Sequence, residues 1–386
     1  SKFFKKKNGM KKLLLALLPF LVLTMAQGFQ KKSKLPNIVI IYADDMGYGD
    51  LNCQNPDSKI PTPNLDKLAS EGMRFTDAHS SSGICSPSRF AFLTGTYHWR
   101  RQHGIVSSFG KPFFKDSDIT LPQVLKTKGY TTACIGKWHL GVHEKFRPWN
   151  RGFNEFFGFL GGGHRYLPEE YTIVNQDSAK NEGESYRTKL IRNNKLVEES
   201  EYLTDALSRE AVSFIERNKQ QPFFLYLAYN APHAPLQATP KYLSRFDHIK
   251  NPKRKTYAAM VSAVDDGVGT VLDKLQQLNL TENTIVIFLS DNGGPETDNG
   301  SDNGPLRAGK GSLFEGGIRV PFAMQWPSQI KANTKYEQPV ISLDIFATIA
   351  ANIGRASAPK NELDGVNLLP YLKGAKQGSP HEYLFW

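Results

Sequence analysis

Cysteine is scarce: Cys53, Cys85 and Cys134 are the only three in 386 residues, too few for a disulfide framework. Acidic residues are missing from the first 26 positions, which hold Lys2, Lys5, Lys6, Lys7, Lys11 and Lys12. The apolar run from Leu13 to Met25 is too short, and too closely followed by polar residues, to cross a membrane as a helix. Internal repeats and low-complexity tracts are also lacking. Removing those six lysines lowers the formal charge from +11 to +5 (11 − 6), a diffuse surplus that suits anionic substrates and argues against nucleic acid.

The basic stretch, the apolar run and the small-residue site Ala26-Gln27-Gly28 together read as a signal peptide over residues 1–28. Residues 1–9 stand upstream of its natural start at Met10. The protein is therefore expected to be exported, periplasmic or secreted, with no stable membrane span.

The composition is that of an ordinary globular protein, 40% hydrophobic and 22% charged, and the length is enough for one large domain. PNIVIIYADD, TTACIGKWHLG, PFFLYLAYNAPH, NTIVIFLSDNGG and VPFAMQWP are β-rich runs that end in polar or glycine-rich breaks. Such near-continuous apolar runs predict strands buried on both faces. Between them PNLDKLASEG, LPQVLKTKGY, YLTDALSREAVSFIERN, YAAMVSAVDDGVGTVLDKLQQL and SLDIFATIAANIG have helical periodicity. The alternation predicts an α/β fold, a large and mostly parallel mixed sheet sandwiched by helices.

In such sheets, sites form beyond the carboxyl ends of the strands. Asp44-Asp45, Lys137 with His139, His233, and Asp291-Asn292 all stand at such ends. Glycine-rich stretches at 158–163 and 292–317 read as loops beside them. Several carboxylates at one edge need a compensating cation. An all-oxygen set suits Ca²⁺ or Mg²⁺ better than zinc. Either acidic pair alone is equally readable as a cap of the following turn, whereas two pairs together favour a metal.

His139, two residues after Lys137 on an extended segment, is expected on the same face as that lysine. Lys310 in AGKGS either reaches an anionic ligand or is an ordinary loop lysine. Arg307 in PLRAGK either contacts substrate or braces its loop, and His164 in GGGHRY either belongs to a loop that meets the substrate or is structural. Asp265 and Asp266 fall on a helix, solvated or bonded to nearby backbone. His98, His103 and His143 carry no pattern. Cys134 reads as a buried thiol within a strand.

Cys85 differs. Ser86-Pro87 is a good helix start, which puts Cys85 at a helix N-terminus with Arg89 one turn on. It reads either as a low-pKa thiolate or as a buried thiol. A thiolate beside a calcium-type site matches no protease or oxidoreductase arrangement.

CSPSRFAFLTG resembles the signature of the formylglycine-dependent (type I) sulfatases, arylsulfatase-like members of the alkaline phosphatase superfamily. ADDMGYGD, GKWHLG, APHAP, SDNGG and GPLRAGKGSLFEGGIRVP resemble the same family in its chain order. The resemblance implies a sulfuric ester hydrolase acting on a sulfated carbohydrate, with Cys85 oxidised to formylglycine by a maturing enzyme. It implies one Ca²⁺ held by Asp44, Asp45, Asp291, Asn292 and the modified Cys85. The aldehyde hydrate would attack sulfur and form a covalent sulfo-enzyme, with Arg89 and Lys137 steadying the diol. His233 and Lys310 would grip the sulfate and protonate the leaving alcohol, and His139 would release the sulfate by deprotonating the second hydroxyl.

The catalytic domain is expected over residues 36–386, without most of the family's C-terminal antiparallel subdomain. Where the family often has an arginine after Leu93-Thr94-Gly95, this chain has Thr96; either Arg100 or Arg101 substitutes for it, or that support to the site differs. Two competing readings are a phosphate or phosphonate ester hydrolase on the same fold, and a non-catalytic binder of sulfated glycan in which Cys85 stays unmodified.

Overall fold

The computed structural model describes residues 35–354 and 363–386, so the signal segment read from the sequence lies outside the described residues. The strands in chain order are β1 (Asn37–Ala43), β2 (Met73–Phe75), β3 (Ala78–His79), β4 (Thr131–Lys137), β5 (Glu155–Phe159), β6 (Leu190–Arg192) and β7 (Lys195–Val197). They continue with β8 (Phe223–Ala228), β9 (Thr284–Ser290), β10 (Phe322–Gln325), β11 (Thr334–Tyr336) and β12 (Val340–Ile341). Ten of them form one sheet in the order β11-β2-β10-β9-β1-β8-β4-β5-β6-β7, and β3 pairs with β12 separately.

The centre, β9-β1-β8-β4-β5, is parallel. Antiparallel β10 and β6 flank it, so VPFAMQWP joins the sheet in the opposite sense to the other apolar runs. Every residue of β1, β8 and β9 is buried, which is why NIVIIYA, FFLYLA and TIVIFLS show no alternation of polar and apolar residues.

On one face, Val39, Ile41, Leu225, Leu227, Val286 and Phe288 pack in a single core with α1 (Pro63–Ser70), α3 (Leu203–Arg217) and α4 (Pro252–Gln277). Between α1 and α3 in the chain, α2 (Cys85–Thr94) covers the other face. There Phe92 lies 5.4 Å from the Tyr42 ring and 5.3 Å from that of Tyr226. Each such fully buried side chain contributes roughly 1.5–3 kcal/mol. All ten residues of α2 are buried, and the helix ends at Gly95, whose φ of 68° fits glycine and whose N–H bonds Ala91 O at 2.8 Å.

Asp265 and Asp266 are explained by packing. Thr62 makes no side-chain cap at the start of α1; instead Asp265, reaching across from α4, accepts from Asn64 N at 3.1 Å and Leu65 N at 2.8 Å. Asp266 pairs with Arg245 at 2.8 Å. Among the described residues no helix is long and apolar enough to cross a membrane.

Candidate functional site

Because β4, β8, β1 and β9 are parallel neighbours, their carboxyl ends deliver polar residues to one place. Lys137 closes β4, Asp44 follows β1, Asp291 follows β9, and His233 sits in the loop after β8. α2 brings Cys85, its first residue, to the same point. The strand ends are laced together: Asp44 N donates to Ala231 O at 3.2 Å, Asp291 N to Ala43 O at 3.1 Å, and Met46 N to Ser290 Oγ at 3.1 Å. Asp45 adopts a φ of 65°, a strained conformation for a non-glycine residue. Its N–H lies 3.3 Å from Asp291 Oδ1.

Ligand-capable atoms of Asp44, Cys85 and Asp291 lie within 4.8 Å of one another, all buried. Cations interleave with them. Lys137 Nζ donates to Asp44 Oδ2, and Arg89 donates to Asp291 Oδ2 from Nε at 3.0 Å and pairs with it from Nη2 at 2.8 Å. Asp45 receives Lys310 Nζ at 2.7 Å and Asn292 Nδ2 at 2.7 Å, with His233 Nε2 3.7 Å away.

Burial alone would raise Asp44, but Lys137, His233, Arg89 and Lys310 outweigh it and hold the carboxyl well below the usual range. Burial and then Asp44 push Asp291 up to about 7, against the pull of Arg89 and Lys137. Burial would lower Lys310, yet Asp45, Cys85 and Asp44 raise it. Both His233 and His139 are lowered, first by burial.

The residues present fit a hard divalent cation. Asp44 Oδ1 and Asn292 Oδ1 are buried without a hydrogen-bond partner, an expensive state for polar oxygens. Together with two further carboxylates they make the oxygen-rich donor set that Ca²⁺ takes.

Several expectations change. Cys85 is fully buried, and burial raises its thiol while Lys137 and Lys310 only partly oppose this, so the low-pKa thiolate reading fails. Lys137 and His139 do not share one extended face: β4 ends at Lys137, and His139 has a left-handed φ of 56°. Its ring still sits among the site charges. Nε2 lies 2.8 Å from Val106 O and Nδ1 is buried without a partner. Since only an N–H can bond a carbonyl, Nε2 carries the proton and Nδ1 the lone pair.

His164 is corrected as a substrate contact: it is fully buried, with Nδ1 2.8 Å from Arg165 O and Nε2 2.7 Å from Thr188 O. Arg307 is exposed, its guanidinium 3.9 Å from the Phe314 ring centroid. Neither Arg100 nor Arg101 replaces the arginine missing at Thr96, because Arg100 is bound to Asp364 and Arg101 to Asp118. Gly158 and Phe159 belong to β5, so that loop begins at Leu160. His103 and His143 are exposed; His98 is buried at the surface edge.

Sequence reasoning missed the layer beneath. Tyr226 OH accepts from Arg89 Nη1 at 3.3 Å, and the Tyr42 ring centroid lies 5.4 Å from the guanidinium. Asp50, the last residue of ADDMGYGD, is buried and accepts from Gly47 N, Tyr257 OH, Arg254 Nη1 and Asp302 N. It ties the loop after β1 to α4 and to the loop carrying Lys310. A strand tyrosine gives no sequence signal of this kind, whereas an aspartate inside a glycine-rich turn does.

A family model described as Sulfatase matches residues 36–354. The N-acetylgalactosamine-6-sulfatase of Mus musculus is 36% identical over 366 residues, which span 90% of this chain and 68% of the relative. The steryl-sulfatase of Homo sapiens is 30% identical over 443 residues, spanning 95% of this chain and 75% of the relative. The chain thus covers roughly two thirds to three quarters of the length of these relatives. Among solved structures, Ps i-CgsB in complex with k-i-k-neocarrahexaose superposes with a TM-score of 0.84 at 42% identity, covering 90% of this chain and 78% of that one. With a mostly parallel sheet that gathers aspartates, lysines and a helix-initiating cysteine at one edge, and with these likenesses along nearly its whole described length, the chain belongs to the sulfatase family.

Proposed function

We propose that this protein hydrolyses sulfate esters of a carbohydrate, with Cys85 as the precursor of a formylglycine. The observation that carries this reading is the burial of Cys85 within 4.8 Å of the Asp44 and Asp291 carboxylates, under the cations of Arg89, Lys137 and Lys310. Asp44, Asp45, Asp291, Asn292 and position 85 would hold one Ca²⁺. Bound there, the cation supplies charge that lowers the pKa of a hydroxyl on the hydrated aldehyde and so provides the nucleophile.

The chain's own residues divide the remaining work. Lys137 and Arg89 clamp Asp44 and Asp291 and so fix position 85. Lys310 and His233, both facing Asp45, hold the oxygens of the transferring group, and one of them protonates the departing alcohol. Sulfate esters have no strongly electrophilic centre, so preorganised donors of this kind dominate, each worth about 3–4 kcal/mol. His139, neutral and with Nδ1 as its lone-pair nitrogen, accepts the proton whose removal expels sulfate.

The carbohydrate assignment draws on the relatives, one of which is named for N-acetylgalactosamine 6-sulfate and another crystallised with k-i-k-neocarrahexaose. The signal read in residues 1–28 supports export to the periplasm or beyond, and a formylglycine-generating enzyme would be the maturation partner.

The test is the mass of the tryptic peptide Phe75–Arg89 from protein purified from its exported pool, with sulfate release measured on the same sample. Formylglycine at position 85 with sulfate release supports the reading. An unmodified thiol in protein that nonetheless releases sulfate would overturn the nucleophile, and tight binding of sulfated sugar without release would favour a binding protein.

A further inference from the structure

Three consecutive glycines lie just beyond β5, and none of them has a left-handed φ. Space demands them. A Cβ at Gly161 would lie 2.6 Å from Ser185 Oγ, at Gly162 2.7 Å from His139 Nε2, and at Gly163 2.5 Å from Tyr186 Cζ and 2.9 Å from its hydroxyl. One ribbon of backbone therefore backs the His139 ring and, a residue later, the Tyr186 phenol.

Tyr186 is held firmly. It comes directly after the one-turn helix Glu182–Ser185, capped by Asn181, whose side chain accepts from Glu184 N at 3.0 Å. Its carbonyl accepts from Arg165 N at 2.8 Å. Glu182 accepts from Ser108 N at 2.6 Å and Ser108 Oγ at 2.7 Å, and Ser185 Oγ donates to Ser108 Oγ at 2.9 Å. Two residues earlier, Val106 O takes the His139 ring, so segment 106–108 connects the support of His139 to that of Tyr186.

Despite this scaffolding the Tyr186 hydroxyl has no hydrogen-bond partner among the described residues, and the side chain is half-buried. The charges of Asp44, Cys85 and Lys310 all act on it. Burial, reinforced by Asp44, Cys85 and Glu182, pushes the phenol up to about 12, so it is a neutral donor at any working pH. The buried cations already supply donors for sulfate oxygens. A neutral phenol with an apolar ring, left partly open to solvent, suits a sugar instead.

We propose that Tyr186 is a substrate-binding residue whose phenol O–H, backed by Gly163, donates to an oxygen of the sugar that carries the scissile sulfate. This rests on the sulfatase reading above.

The test compares wild type and Tyr186→Phe on two substrates: k-i-k-neocarrahexaose, and p-nitrophenyl sulfate, which has no sugar. Loss of one such hydrogen bond predicts about a tenfold fall in kcat/KM on the hexaose, mostly in KM, and less than twofold on the aryl sulfate. Equal losses on both, or none on either, overturn the proposal. Gly163→Ala, which pushes on the ring, is expected to reproduce the selective loss. If wild type is inert on both substrates, the sulfatase reading fails by itself, and calorimetry then decides about Tyr186: about tenfold weaker hexaose binding by Tyr186→Phe supports it, and an unchanged Kd overturns it. A wild-type protein that cleaves aryl sulfate but neither cleaves nor binds the hexaose also overturns it.

Discussion

Arg89 Nη2 lies 2.8 Å from Asp291 Oδ2 with both side chains fully buried. The same guanidinium reaches Tyr226 OH and stands 3.7 Å from Asp44. Removing one member of a buried, hydrogen-bonded pair leaves an uncompensated charge, which costs about 3–5 kcal/mol. Arg89→Leu is accordingly expected to lose that much in urea unfolding. Tyr226→Phe, which removes one partner only, should lose about 1 kcal/mol. Equal effects of the two variants would mean that the guanidinium is not the keystone of the site.

Calcium should stabilise the fold. Asp44 Oδ1 and Asn292 Oδ1 lack partners, so a cation satisfying them binds the native state selectively. At a hundredfold excess over Kd the gain is about 2.7 kcal/mol, read as a rise in Tm. Asn292→Ala is expected to diminish this rise and Asp44→Asn to abolish it. A wild-type Tm indifferent to millimolar Ca²⁺ would remove the case for the metal.

Lys310 pairs with Asp45 from a glycine-flanked loop. If it also holds the transferring sulfate, Lys310→Ala loses a preorganised donor and kcat falls by roughly 10²–10³, while unfolding free energy changes far less. Activity within threefold of wild type would reduce the lysine to a brace for Asp45.

His98 supplies a pH dependence outside the site. Burial, helped by nearby His103, lowers it to about 4 from 6.5, and its Nδ1 has no partner. Between those two values the unfolded chain binds a proton that the native chain does not, so stability falls as pH drops from 6.5 towards 4. His98→Phe is expected to flatten this slope in urea unfolding measured at stepped pH. An unchanged slope would assign the acid sensitivity to other groups.

Much of this protein is legible in one dimension. Near-continuous apolar runs mark β1, β8 and β9, and a β-rich run marks β4, because strands buried on both faces need no alternation, and the carboxyl end of each strand and the loop after it are where a parallel sheet exposes a site. That local rule is enough to bring Asp44, Lys137, His233 and Asp291 together. Side-chain direction beyond a strand end does not obey it. His139 reaches the site through a left-handed kink instead of an extended alternation, and His164, one loop away, turns inward to two carbonyls. Contacts between residues distant in sequence left no pattern at all: Asp265 capping α1, Tyr226 under Arg89, Tyr186 against Gly163. The sequence by itself determined which chemical groups stand at the strand ends, since burial of the strands follows from local apolarity. Only the tertiary structure decided which of their atoms are engaged and which are left open, because that depends on partners brought in from elsewhere in the chain.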